Sequence, residues 1–137
     1  MGGAVSKYKN IKSLLAIIHS HCENEGINRK EIDERLRDAC EALYSLSIED
    51  SNLKYVESPE LKDLFLLETL VIAFDRNSDK PEICRCLIRT IYNLSSAEEN
   101  HQYMSSNKLG LVPILLKFIR QDNSEGRIIA CGMIAKF

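Results

Sequence analysis

The chain has 137 residues, 45% hydrophobic and 28% charged, a length for one ordinary domain with enough apolar side chains to bury a core. Three prolines, six glycines and few aromatics exclude a loop-rich all-β fold. A formal net charge of −2 excludes the basic excess of a nucleic-acid binder, so no nucleic-acid partner is expected.

The start, Met1-Gly2-Gly3-Ala4-Val5-Ser6, matches an N-myristoylation signal, with Gly2 exposed once the methionine is removed and a serine at position six. Small residues suit the narrow pocket of an acyltransferase, and Gly2 supplies the amine. Residues 1–22 hold Lys7, Lys9 and Lys12 and no acid, whereas the other 115 residues carry 15 basic and 20 acidic side chains. One acyl chain gives only marginal attachment, so a second signal is needed. The three lysines are the candidates, at about 1 kcal/mol each near an anionic leaflet. Residues 1–10 are therefore read as a flexible, acylated tail. Ser6 also suits the cap of a helix leading to Ile11.

From there the apolar spacing is helical. Ile11, Leu14, Leu15, Ile18 and Cys22 recur at steps of three and four. Asn28 and Glu31 have capping-box spacing and open a long helix carrying Leu36, Ala39, Cys40, Leu43 and Leu46. Ser47 to Ser51 is a polar connection, followed by a short helix over Asn52–Glu57. Ser58-Pro59 starts another helix, with Leu61, Leu64, Phe65, Leu67, Leu70, Val71 and Phe74 covering more than one face. The pairs Asp79/Glu82 and Ser96/Glu99 repeat the capping-box spacing. Gly110 and Pro113 bracket the next helix start, and Asn123 or Ser124 caps the last helix, ending at Phe137. No alternating strand occurs, so the chain reads as all-α.

The order short, middle and long helix recurs. Ala42-Leu43-Tyr44-Ser45-Leu46-Ser47 lines up with Thr90-Ile91-Tyr92-Asn93-Leu94-Ser95, 48 positions on, and Asp79, Glu82 and Ile91 recur 43 positions on as Asp122, Glu125 and Ile134. Fixed-period self-similarity is the mark of a solenoid.

Residues 93–134 resemble an armadillo repeat. Asn93-Leu94-Ser95 is similar to the end of a third helix, Asn100 to the asparagine opening a first helix, and Leu109-Gly110-Leu111-Val112-Pro113-Ile114-Leu115-Leu116 to the start of a second helix. The likeness is fair across 36–92 and weak before residue 36. It implies an armadillo-like right-handed α-solenoid of about three repeats, near 11–50, 51–96 and 97–137. It also implies a concave third-helix face that holds a protein or peptide. Asn93 matches the family's peptide-binding asparagine, with Ser45 and Lys136 as repeat equivalents. The tryptophan of the nuclear-import adaptors falls at Glu41, Arg89 and Gly132, and the chain has no tryptophan. Without aromatic slots for lysine side chains, the column Arg85, Arg89, Asn93, with Glu41 and Ser45, suits an acidic or main-chain ligand. Lipid-anchored members of the family recruit partners to organelle surfaces, which fits the N-terminal signal.

Five cysteines on helical positions point to reduced thiols, with Cys22, Cys40 and Cys131 read as buried. His19-Ser20-His21-Cys22 and Cys84-x-Cys86 lack metal-ligand spacing, so no metal site is expected. No phosphate loop or nucleophile elbow occurs, so neither catalytic residues nor a cofactor are expected. The reading is a non-enzymatic scaffold, cytoplasmic and peripheral to a membrane. The alternative is a soluble cytosolic or nuclear adaptor. The apolar last helix has no polar cap, so either further repeats after Phe137 or end-to-end self-association is expected.

Overall fold

A computed structural model describes residues 2–23, 29–49, 53, 55–59, 61–121 and 125–137. The described residues are predominantly helical and contain no strand. The α-helices are α1 (Gly2–Glu23), α2 (Arg29–Glu49), α3 (Leu66–Arg76), α4 (Pro81–Leu94), α5 (His101–Met104), α6 (Leu111–Gln121) and α7 (Glu125–Lys136).

Three helical hairpins, α1/α2, α3/α4 and α6/α7, stack in chain order. Helix α2 packs on α4, and α4 on α7; α1 packs on α3. The rings of Phe74 on α3 and Phe118 on α6 meet edge to face at 5.0 Å, carrying the second row onward. The helices thus form two rows, α1–α3–α6 and α2–α4–α7. The core lies between them and includes Ile11, Leu43, Leu70, Phe74, Leu87 and Ile91, all at most 2% exposed. Burying each such side chain contributes about 1.5–3 kcal/mol.

Local structure departs from the sequence expectation at four places. Helix α1 begins at Gly2, within the stretch read as a tail; Ala4 to Lys12 contains no proline or glycine to interrupt the helix. Helix α2 continues through Glu49, past the expected break at Ser47.

Third, Ser58-Pro59 does not open an α-helix. Residues 55–59 make turns, Lys62–Leu64 is one 3-10 turn, and α3 starts only at Leu66. Phe65 stands between them with φ 54 and ψ 45, the left-handed region. Its backbone reverses the chain so that Leu61 and Leu66 both reach the core. Asn52 lies outside the described residues.

Fourth, the expected capping boxes are absent where they can be inspected. Pro81 occupies the first turn of α4, which moves the cap to Lys80 and leaves Asp79 outside the helix. Ala97, not Ser96, precedes the 3-10 turn Glu98–Asn100, and the Ser96 hydroxyl donates back to the Asn93 carbonyl at 2.8 Å. Asn28, Asn123 and Ser124 lie outside the described residues. Gly110 adopts φ 73, as a sharp turn into α6 requires, and Pro113 sits in the first turn of α6.

Candidate protein-binding groove

Helices α2 and α4 lie side by side, and their open side forms a cleft of about 540 Å³. Three of the sequence-derived candidates, Glu41, Arg85 and Arg89, line it. Arg37, Asp38, Tyr44, Glu82 and Cys86 also line it and are not among the binding-face residues expected from the sequence. Arg37, Glu41 and Ser45 follow each other at four-residue steps, so one helical turn back from the positions that the armadillo resemblance implies reaches Arg37.

Ser45 is exposed on α2, but neither it nor Asn93 lines this cleft. The Asn93 amide instead donates to the Ser47 hydroxyl at 2.9 Å, tying α4 to the end of α2. The groove wall is laced by charge pairs. Arg37 approaches Glu82 at 3.7 Å, linking α2 to α4. Arg89 donates to Glu125 at 2.9 Å, linking α4 to α7. Both pairs are largely exposed and contribute little to stability, but they fix which way the guanidinium groups point.

These links recur at the repeat spacing. Ser47 and Ser95, 48 residues apart, each donate to the carbonyl three residues back, Tyr44 and Tyr92 respectively, at 2.6 Å. Each also accepts from the next long helix: Ser47 from Asn93 at 2.9 Å, Ser95 from Lys136 at 3.3 Å. Asn93 and Lys136 are 43 residues apart, as are Glu82 and Glu125, each the acidic partner of an arginine on the preceding long helix. Lys136 additionally lies 4.0 Å over the Tyr92 ring, and Gly132 faces the same ring.

The Cys86 thiol is pushed up to about 11, chiefly by burial and then by Glu41, with Arg89 opposing both. The thiol in the cleft is therefore protonated at neutral pH and is a poor nucleophile. Of the three thiols expected to be buried, Cys40 is buried and Cys131 is exposed on α7, because the core side of that helix is Gly126, Ala130 and Met133. The side chain of Cys22 lies outside the described residues, as do those of Lys7 and Lys9. Lys12 is exposed on α1.

Among the described residues no three His, Cys, Asp or Glu side chains gather as a metal site, and no helix is long and apolar enough to cross a membrane. No family model matches the chain, and neither does any curated protein or solved structure.

Proposed function

We propose that the chain is a non-enzymatic protein–protein interaction scaffold of armadillo type, holding its partner on the α2–α4–α7 face and tethered to a membrane surface through N-terminal myristate on Gly2 and the basic residues Lys7, Lys9 and Lys12. The observation that carries the repeat reading is the recurrence of the serine links. A third helix donating to the serine that ends the previous third helix, first Asn93 to Ser47 and then Lys136 to Ser95, is what stacked copies of one unit would produce. The groove beside these links sets the guanidinium groups of Arg37, Arg85 and Arg89 among the carboxylates of Asp38, Glu41 and Glu82. That pairing of charges suits an extended peptide with acidic side chains, its main chain bridging the helices.

Two measurements test this reading. Myristate label should appear on the wild type and not on Gly2→Ala; label on neither removes the lipid tether. A peptide library screened against the intact chain should return acidic sequences whose binding is lost in Arg85→Glu/Arg89→Glu. Unselective binding, or binding indifferent to those changes, removes the groove.

A second reading, a soluble cytosolic or nuclear adaptor without membrane attachment, is favoured by one observation: α1 begins at Gly2, so the residues of the acylation signal lie in a helix and not in an extended tail. Gly2→Ala without effect on localisation would select it.

A further inference from the structure

We propose that the outward face of the row α1–α3–α6 is a docking surface for an anionic lipid bilayer, with Phe65, Ile72 and Leu116 entering the headgroup layer. This deepens the membrane-attached reading above and rests on it, but it requires no acyl group.

Three independent features meet on that face. The first is apolar exposure. Phe65 is 60%, Ile72 47% and Leu116 45% exposed. Ile72 and Leu116 stand on the sides of α3 and α6 turned away from the core residues Leu70 and Leu115. Between α1 and α3 a cleft of about 410 Å³ runs beside Ile72, walled mainly by Leu15, Ala16, Leu64 and Phe65, and lined also by Lys12, Asp63 and Glu68. Such a trough accepts acyl carbons or the apolar body of a lipid glycerol region.

The second feature is the backbone of Phe65. A bulky aromatic residue rarely adopts the left-handed region, where glycine or asparagine would sit without strain. Here the strained conformation holds the ring outside the core, although its neighbours Leu66 and Leu67 are fully packed. An aromatic ring held out at a turn is the kind of group that enters a membrane interface.

The third feature is charge. Residues 1–22 and 100–121, which contain nearly all of α1 and the whole of α6, hold six basic side chains and no acidic one. The remainder of the chain holds 12 basic and 20 acidic side chains. These two helices flank α3, Glu23 at the end of α1 being their one acid, so the exposed apolar groups have Lys12 on one side and Lys117 and Arg120 on the other. The acids near the centre are Glu57, Asp63, Glu68 and Asp75; Glu57 shares a cleft beside Phe65 with Lys62 and Lys108. Glu68 is half-buried and accepts the hydroxyl of Tyr103; Lys62 and Arg76 stand next to Asp63 and Asp75 in sequence. Helix α2, in the opposite row, carries six acids against four basic side chains. An anionic bilayer would therefore attract the α1–α3–α6 row more strongly than the α2–α4–α7 row, leaving the groove turned toward the aqueous phase and open to a partner.

The test uses the full chain produced without an N-myristoyltransferase, so that Gly2 is free. It should sediment with phosphatidylcholine vesicles containing phosphatidylserine and not with phosphatidylcholine alone. Lys117→Glu/Arg120→Glu should lower partitioning by about an order of magnitude or more, and raised salt should do the same. Phe65→Gly, which relieves the backbone and so keeps the fold, should lower it as well, as should Ile72→Ser. A free-Gly2 chain that stays in the supernatant on both vesicles overturns the proposal, as does sedimentation indifferent to these substitutions. Capture on polyglutamate beads through Lys117 and Arg120 without vesicle binding would assign the face to an acidic protein and also overturn it. The tether is judged separately: acylated wild type that binds vesicles while the free-Gly2 chain does not leaves the lipid tether standing and removes only the docking face.

Discussion

The Asn93 side chain donates to the Ser47 hydroxyl at 2.9 Å, and through that bond α4 grips the end of α2. Both groups are half-buried, so cutting the bond strands polar atoms. Asn93→Ala should cost about 1 kcal/mol of unfolding free energy, and Ser47→Ala a similar amount. The double mutant should cost less than the sum, with a coupling of about 0.5–1.5 kcal/mol in urea titrations. Strict additivity would mean that the contact contributes nothing.

The same contact shows what the sequence could and could not convey. Repeat alignment equates Asn93 with Ser45, and both do lie on long helices of one row, but Asn93 touches Ser47. Alignment finds positions that play the same part. Contact depends on how one helix is shifted along its neighbour, and two residues along a helix is a turn of about 200°. The helical period located α4 and α6, whose apolar residues fall on one face, but it misjudged α7, which buries Gly126, Ala130 and Met133 and leaves Ile128 exposed; Glu41, Arg85 and Arg89 follow from the armadillo resemblance. The period could not foresee the left-handed Phe65, since nothing about a phenylalanine announces that conformation. Pro81 was the stronger start signal for α4, and the Asp79/Glu82 spacing obscured it.

Phe65→Gly should raise the melting temperature. Phe65 has φ 54, and placing a non-glycine residue there costs about 1–2 kcal/mol. The greater freedom of glycine in the unfolded chain takes back about 0.5–1 kcal/mol. The net gain should be about 0.5–1 kcal/mol by thermal or urea unfolding. Phe65→Val, which keeps the strain and adds β-branching, should lower stability; a Phe65→Gly chain less stable than wild type would show that the ring makes contacts worth more than its strain.

Lys80 is the polar pivot between the first two hairpins. Its ammonium donates to Asp33 on α2 at 2.9 Å and to the Asn77 side-chain oxygen at 3.3 Å, and only 17% of its side chain is exposed. Asn77 in turn donates to the Ala73 carbonyl at 2.7 Å. Lys80→Met keeps the apolar stem but leaves the half-buried Asp33 carboxylate without that partner. It should cost about 1–3 kcal/mol, more than Arg37→Met at the exposed pair with Glu82, which should cost under about 1 kcal/mol. Chemical denaturation at matched ionic strength separates the two.

The thiols should react in order of exposure and ionisation. Cys131 is exposed and should be alkylated first; Cys40 and Cys84 are buried and should react only on unfolding. Cys86 should react slowly at neutral pH, because its thiol keeps its proton up to about pH 11, against an ordinary value of 9.0. The raised value also sets a sign. The folded state keeps this proton where the unfolded state loses it, so the associated stability is complete below pH 9.0 and is lost as pH rises toward about 11. Cys86→Ser should flatten that alkaline loss, of about 1–2 kcal/mol, in unfolding curves taken across this window. A wild type whose stability is level from pH 9 to 11 would contradict the thiol's assignment.

Gly132 lies in the interior of α7, where glycine costs about 0.5–1 kcal/mol relative to alanine. A Cβ built there would meet only the Tyr92 ring, Cε2 at 3.9 Å, an ordinary van der Waals contact. Gly132→Ala should therefore stabilise the chain by about 0.5–1 kcal/mol, read as a higher urea midpoint at unchanged slope. Larger side chains should reverse the gain, because the Tyr92 ring is already held between α7 and the Lys136 ammonium 4.0 Å above it. Gly132→Leu would have to push the ring off that cation and would loosen the packing of α4 on α7. The sign change between alanine and leucine is the measurable signature of a glycine kept small by its neighbour across the groove.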